Sequence, residues 1–540
     1  MSDELHHECG VAALYWLDAK AAPDGPASRT VRDGNVTAWM PAMLLDLQNR
    51  GQLAAGLSSF MPGRAQLLDT FKDTGTVSEV FRMSHPGKYS SILQQYSGPA
   101  CIGHTRYATC GLDDARYAQP FERHHGRRWK WFSFAFNGNL ANYVHLRDRL
   151  LSRRDYHFTL DTDTEILMHS LAYRLRGDRA PALRRVMASM ARDFDGAYNI
   201  VFLDAMGRMF VARDPVGFRP LSWAVQGRLF AAASESVALS NMGFKDIRSV
   251  APGQMAIVED GKLRFERFAP RRTPAHCFFE WVYFSNVASI ADGCSVYLSR
   301  ARAGQRLAEA ETEKIDDNCI VVPVPDTAKA AADAFAYRLG IPSVEGLIRN
   351  RYVGRTFIQP RDVRGRSAHS KYTPLPLVLA GKRVFLVDDS IVRSTTMAEL
   401  VEQLFKRGGA KEVHVRVACP PIIAPCFYGI DMSTFKELFA PRYVPPGYKG
   451  APTPAMLARM ARDLGVNSLR YLNVDDLGPC IQIDGRRLCT GCVTGKQPTP
   501  MGRKLIVQAR KSKSGTAGRT YEKAPEAEAK AKPPRKGRGC

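Results

Sequence analysis

Apolar and polar positions follow two different rhythms along this chain, and the change falls near its middle. In the first half, many short apolar runs of strand length alternate with polar turns. Gln254 to Val258 and Lys262 to Phe268 flank Asp260-Gly261. That dipeptide predicts an antiparallel hairpin, because both central positions of a type I′ turn need positive φ. The second half reads differently. Ile320 to Val324 is a continuous apolar run, followed by an alanine-rich helical pattern from Ala328 to Leu339 that stops at Gly340, a natural left-handed cap. Lys382 to Val387 is a second buried strand. Beyond a short loop, Met397, Leu400, Val401, Leu404 and Phe405 recur at i, i+3, i+4, i+7 and i+8, Gly408-Gly409 ends the helix, and Glu412 to Ala418 resumes as a strand. Strand, helix and strand in that order predict a parallel sheet with right-handed crossovers.

At 540 residues the chain exceeds what one core organises, so roughly two to four domains are expected. That length excludes a single small module, and 45% hydrophobic with 24% charged residues excludes global disorder. No apolar run approaches the ~18 residues of a membrane span. The opening MSDELHHE lacks the basic residues of an export signal, so the cytoplasm is the expected location. Lysine and arginine number 76 against 53 acids, a net +23 that calls for an anionic partner: phosphate, nucleic acid or an acidic surface. Residues 501–540 hold 12 lysines and arginines against 3 glutamates with few large apolar side chains, and are expected to be a disordered basic tail that offers the one route to nucleic acid. Twelve cysteines in a reducing compartment are read as metal ligands or a nucleophile where clustered and as small core residues elsewhere.

Chemistry concentrates at a few places. Val384-Phe-Leu-Val-Asp-Asp-Ser-Ile-Val-Arg-Ser-Thr-Thr396 sets two carboxylates at the end of a buried strand and small hydroxyl residues at a helix start, where free N–H groups and the helix dipole attract phosphate. The string resembles the phosphoribosylpyrophosphate signature of the glutamine phosphoribosylpyrophosphate amidotransferase family. Val322-Pro-Val-Pro-Asp326 is similar to that family's pyrophosphate loop, and Asn350-Arg-Tyr-Val-Gly-Arg-Thr-Phe-Ile-Gln-Pro360 to its closing loop. The resemblance implies that Asp388 and Asp389 hold the ribose hydroxyls, with Mg²⁺ accompanying the pyrophosphate beside them. It further implies that Ser390, Arg393, Ser394, Thr395 and Thr396 form the 5′-phosphate loop, and that Arg351 and Arg355 belong to the loop that closes.

The first half carries the family's other motifs in order: Glu8-Cys9-Gly10-Val11, Leu47-Gln-Asn-Arg-Gly-Gln52, Gly103-His-Thr-Arg-Tyr-Ala-Thr109, Phe136-Asn-Gly-Asn-Leu140 and Asp161-Thr-Asp-Thr-Glu165. They imply an N-terminal-nucleophile glutaminase domain of αββα sandwich form, joined to an α/β phosphoribosyltransferase domain with a parallel sheet. Cys9 is then the nucleophile, Asn137 and Gly138 the oxyanion hole, Arg106 the partner of glutamine's α-carboxylate and Asp163 that of its α-ammonium. The base in this class is the nucleophile's own α-amine, so residues 1–8 are expected to be a removed propeptide. The expected divisions are 9–270 for the glutaminase domain and 271–500 for the transferase. Cys489-Thr-Gly-Cys492, with Cys277 and Cys426, aligns with the ligands of the family's iron-sulfur subgroup and implies a [4Fe–4S] cluster, zinc being the physical alternative. A homotetramer is implied as well.

Several positions depart from the family pattern. Ser394 replaces a glycine and would cost ~1 to 2 kcal/mol if its φ were positive. Ser285-Asn-Val-Ala-Ser289 replaces Ala-Arg-Pro-Asp-Ser, Ala368 to Thr373 loses a Val-Arg pair, Asn49 and Leu53 replace His and Glu, and Phe136 replaces His. The expected reaction is glutamine-dependent amination of phosphoribosylpyrophosphate to 5-phosphoribosylamine, pyrophosphate and glutamate, the first committed step of purine synthesis. The alternative is a divergent paralogue with a working glutaminase and altered acceptor chemistry.

Overall fold

The computed structural model describes residues 9–18, 34–107, 114–153, 156–160, 162–350, 372–432, 434–445, 448 and 450–511. Two antiparallel sheets form the first half. One has seven strands in the order Arg248–Ser249, Ser222–Gln226, Leu229–Ala233, Gly10–Trp16, Ala100–Arg106, Ala54–Phe60 and Leu68–Thr74. The other has six, in the order Lys262–Arg267, Gln254–Glu259, Met209–Arg213, Gly196–Asp204, Phe132–Leu140 and Phe121–Arg123. Strand periodicity sends side chains to both faces, and here both faces are buried. Val11, Ala13 and Tyr15 join Ile102, Ala135 and Val201 in one core, while Ala12 and Leu14 pack with Met40, Met43 and Leu44 of the helix Met40–Asp46. Phe132, Phe134 and Phe136 lie in a third core with the helices Tyr143–Leu151, Asp163–Arg174 and Leu183–Asp193. Helix, sheet, sheet, helix is the sandwich expected. The hairpin also forms as read: Glu259 pairs with Lys262, and Asp260 and Gly261 take φ of 49° and 69°.

The second half is organised by four parallel strands in the order Cys319–Pro323, Arg383–Asp388, Glu412–Val417 and Ser468–Tyr471. The helix Lys329–Leu339 ends at Gly340 with φ 70°, and the helix Thr395–Lys406 buries Met397, Leu400, Val401 and Leu404. Parallel order brings the carboxyl ends of the strands Cys319–Pro323 and Arg383–Asp388 side by side, which is where α/β sheets bind ligands. No helix among the described residues is long and apolar enough to cross a membrane.

One sequence expectation needs correction. The basic tail does not begin at 501: Pro500–Lys511 is an α-helix with Gly502, Leu505 and Ile506 buried. Gly502, Leu505, Ile506 and Ala509 stand at i, i+3, i+4 and i+7, so a short amphipathic helix opens a segment whose summed composition is polar. Residues 512–540, like the expected propeptide 1–8, lie outside the described residues.

Candidate active site

Cys9 directly precedes the strand Gly10–Trp16, and its half-buried thiol donates to the carbonyl of Tyr107, 3.8 Å away. The neighbouring strand Ala100–Arg106 pairs Gly10 with Thr105, which brings Arg106 beside the thiol's end of the sheet. Arg106 is 5% exposed, and its guanidinium lies 5.3 Å from the Tyr117 ring centroid. Asn137 reaches the same region from the second sheet. Its amide donates to Ser234 Oγ at 3.4 Å, and that hydroxyl also accepts from the backbone N–H of Val11 at 3.0 Å, so one serine ties Asn137 to the nucleophile's strand. Gly138 has φ 153°, and a Cβ there would lie 2.0 Å from the carbonyl oxygen of Ala197. Only glycine fits. Asp163 opens its helix and accepts from the N–H of Leu140 at 3.3 Å, two residues beyond Gly138.

The loop from Leu47 to Leu53 borders this region. Its Leu47 carbonyl accepts from Thr105 Oγ at 3.3 Å, and a Cβ on Gly51 would fall 2.4 Å from the carbonyl carbon of Arg106. The opposite side of the loop lines a cavity of about 440 Å³, to which it contributes Asn49 and Gln52. Asp388, Asp389, Ser390, Arg393 and Thr396 line the same cavity, as do Val324, Pro325 and Asp326 of the expected pyrophosphate loop and Thr327, which follows it. Ser390 Oγ donates to Asp389 at 2.6 Å, Thr327 Oγ donates to the other oxygen, and the N–H of Asp389 donates to Asp388 at 2.8 Å. Burial raises the Asp389 carboxyl above its ordinary range, against the two hydroxyls and Arg300. Arg393 pairs with Glu437, and Arg349 with Asp326 at 2.8 Å.

Ser394 takes φ −83° and ψ −14° as the N-cap of the helix Thr395–Lys406. This is right-handed backbone, so the cost tied to positive φ does not arise. Ser394 and Thr395 stand at the helix start and are not among the cavity's lining; Arg351 and Arg355 lie outside the described residues. Within the Ser285–Ser289 segment, Ser285, Asn286 and Ser289 are held by buried carboxylates. Ser285 Oγ donates to Glu280 at 2.7 Å, while the N–H of Asn286 and Ser289 Oγ donate to Glu235 at 2.7 and 2.8 Å. Arg50 joins Glu235 at 2.7 Å and Glu280 at 2.6 Å, and Arg219 reaches Glu280 at 3.4 Å, every member being buried. Burial alone would raise the Glu280 carboxyl, yet Arg50 and Arg219 hold it below its ordinary range.

A second, small cavity is lined by all four expected cluster cysteines. Strands His276–Cys277 and Leu488–Cys489 pair in parallel with Cys277 opposite Cys489. Cys492 follows on the short helix Gly491–Thr494, and its carbonyl accepts from the N–H of Ile423 and Ala424 at 2.8 and 3.0 Å, which brings Cys426 in. Burial pushes the Cys489 thiol up to about 12 and those of Cys277 and Cys492 upward too. All four cysteines line this one cavity, and among the described residues no three His, Cys, Asp or Glu form a group that could hold a metal ion. Phe218, Arg219, Tyr428, Ile430 and Gln497 complete the lining. The nine residues from Ala418 to Cys426 connect the two cavities, since the N–H of Ala418 donates to the Asp388 carbonyl at 2.9 Å.

Residues 69–251 match the model of a glutamine amidotransferase domain. Amidophosphoribosyltransferase from Methanothermobacter thermautotrophicus is 36% identical over 504 residues, covering 92% of this chain and 96% of that protein. The chain belongs to the amidophosphoribosyltransferase family. The enzyme of that name from Archaeoglobus fulgidus is 37% identical over 497 residues, covering 91% of this chain and 98% of its own. Among solved structures, the glutamine phosphoribosylpyrophosphate amidotransferase from B. subtilis complexed with ADP and GMP aligns with a TM-score of 0.76 at 33% identity, over 91% of this chain and 98% of that one. The structure described as the allosteric regulatory enzyme of purine biosynthesis aligns equally well, at 33% identity and TM-score 0.76.

Around the expected site residues lie others that the motifs alone did not single out. Ser234 and Thr327 hydrogen-bond to Asn137 and Asp389, and Thr327 could have been found as the residue following the expected pyrophosphate loop. Asn49 was visible only as a departure from the family pattern, not as part of the lining of the transferase cavity. Glu437, the partner of Arg393, carries no local signal because it comes from a distant segment.

Proposed function

We propose that this amidophosphoribosyltransferase releases ammonia from glutamine at Cys9 and delivers it to C1 of phosphoribosylpyrophosphate in the 440 Å³ cavity. The observation that carries this is the Leu47–Leu53 loop: one side touches Arg106 and Thr105 beside Cys9, and the other lines the cavity of Asp388 and Asp389. In the first half-reaction the Cys9 sulfur adds to the γ-amide carbon of glutamine while Asn137 and the Gly138 N–H receive the oxyanion. The C–N bond breaks, ammonia leaves with the thiol's proton, and water hydrolyses the thioester to glutamate. In the second, the ammonia lone pair forms the bond to C1, pyrophosphate departs with the bonding pair, and the new amine sheds one proton. Asp388 and Asp389 orient the ribose hydroxyls, and the N-terminus of the helix Thr395–Lys406 receives the 5′-phosphate.

With residues 1–8 removed, the α-amine of Cys9 is the proton acceptor for its thiol, and a mature chain beginning at Cys9 is the mass to expect. Mg²⁺, arriving with the pyrophosphate, would offset its charge beside Asp388 and Asp389, whose oxygens suit a hard cation. Cys277, Cys426, Cys489 and Cys492, which all line one small cavity, would hold a [4Fe–4S] cluster, a tetrahedral zinc being the alternative that four thiolates also satisfy. Fresh anaerobic protein should absorb broadly in the visible. The decisive assay measures pyrophosphate and glutamate from glutamine plus phosphoribosylpyrophosphate. Equal yields are expected, with Cys9→Ala losing the glutamine-driven reaction but keeping that driven by added ammonia. Glutamate without pyrophosphate would defeat the reading.

A further inference from the structure

Asn49 lies on the loop that borders both sites and is unevenly satisfied. Its amide nitrogen donates both hydrogens, to Glu235 Oε1 at 2.7 Å and to the Phe284 carbonyl at 3.1 Å. Both partners are acceptors, so exchanging the amide's oxygen and nitrogen would set oxygen against oxygen, and the orientation is determined. Asn49 Oδ1 is buried and accepts from no group among the described residues, although Asn49 lines the cavity of Asp388 and Asp389. A buried acceptor left open costs about 1–3 kcal/mol, which a small N–H or O–H donor reaching it would recover.

We infer that Asn49 Oδ1 is the acceptor that receives ammonia as it passes from the glutamine site into the phosphoribosyl cavity. This rests on the two-site reaction proposed above. Ammonia reacts through its lone pair and has three N–H donors to spare, so bonding an N–H to Oδ1 leaves the lone pair free for C1. A neutral amide also suits the task better than an acid. A carboxylate here would stabilise ammonium, which has no lone pair and cannot react. The neighbouring carboxylate is screened from that role, because Glu235 already accepts from Asn49, Arg50, the Asn286 N–H and Ser289. Asn49 thus supplies an uncharged acceptor where the nearest acid is occupied.

The test compares full-length wild type with Asn49→Leu and Asn49→His, each assayed for pyrophosphate release driven by glutamine and, separately, by added ammonium chloride at pH 8. The readout is the ratio of the glutamine-driven to the ammonia-driven rate, together with glutamate formed per pyrophosphate. In Asn49→Leu the ratio should fall at least fivefold and glutamate should exceed pyrophosphate. In Asn49→His, which keeps a donor for Glu235 and a ring nitrogen acceptor, the ratio should stay within about twofold of wild type. A leucine variant with an unchanged ratio, whether or not its absolute rates fall, would overturn the inference. Equal losses in both variants would also overturn it, by assigning the effect to shape. Wild type that releases no pyrophosphate with glutamine would instead refute the underlying two-site reading.

Discussion

His104 is fully buried on the strand Ala100–Arg106, with Nε2 3.3 Å from the carbonyl of Phe136. Phe136 stands immediately before the expected oxyanion residues, so a change in this imidazole is felt next to the site. Burial, followed by the charges of Arg106 and Lys72, lowers its pKa to about 3 despite that hydrogen bond. The unfolded chain then binds a proton below pH 6.5 that the folded one refuses until about pH 3. Stability from this group is therefore full above pH 6.5 and lost as pH falls, at about 1.4 kcal/mol per pH unit, or about 2 kcal/mol by pH 5. Urea titrations at pH 8, 6.5 and 5 should register that decline, and His104→Gln, which keeps a donor for Phe136, should remove most of it. An identical slope in wild type and variant would mean that other groups set the acid limb.

The helix Pro500–Lys511 illustrates what an element adds beyond its residues. A Cβ on Gly502 would lie 2.0 Å from the Tyr428 hydroxyl, which is also hydrogen-bonded to Thr499 Oγ at 3.1 Å. Tyr428 in turn stacks on Phe218 at 4.2 Å and lines the cysteine cavity, so this helix covers one side of the expected cluster site. Burial of Leu505 and Ile506 contributes about 1.5–3 kcal/mol each. A chain ending at Thr499 should melt at a lower temperature than one ending at Lys511, and its visible absorption should bleach faster in air. Equal melting temperatures would show that the helix adds no net stability.

Across the whole molecule, the two halves meet through charge as well as apolar packing. Ala141, Ala197 and Phe218 share a core with Phe278 and Trp281, and Asn139 donates to the carbonyl of Phe427 at 3.1 Å. At the centre, Glu280 serves both Arg50 and Arg219. Removing it would leave two buried guanidinium groups short of a counter-charge, a change that typically costs about 3–5 kcal/mol. Glu280→Ala should lose that much in denaturant titrations and should also lower the yield of pyrophosphate per glutamate, since Ser285 and the cavity wall depend on the same carboxylate. A loss under 1 kcal/mol would place the domain junction elsewhere.

Local chemistry was legible from residue order wherever backbone geometry depends on neighbours. Whereas the two-part fold was implied by the resemblance of the motifs to a known family, the Asp260-Gly261 turn, the Gly340 cap and the parallel strands follow from short-range periodicity and turn preference. So did the candidate residues lying within a motif, because adjacent residues such as Asp388 and Asp389, or Asn137 and Gly138, stay adjacent in any fold. Net charge was less informative: Arg50, Arg213, Arg219 and Arg416 are fully buried in ion pairs, so a count of arginines does not measure surface aimed at an anion. Conformation at Ser394 also had to be observed, since serine adopts either hand and only the folded loop selects φ −83°. The helix at Pro500 did carry a local signal, since Gly502, Leu505, Ile506 and Ala509 fall on one face, but the polar composition summed over residues 501–540 concealed it. Above all, the cavity shared by Asn49 and Asp388 brings together residues more than 300 positions apart, and only tertiary packing fixes such a distance or leaves one amide oxygen without a partner.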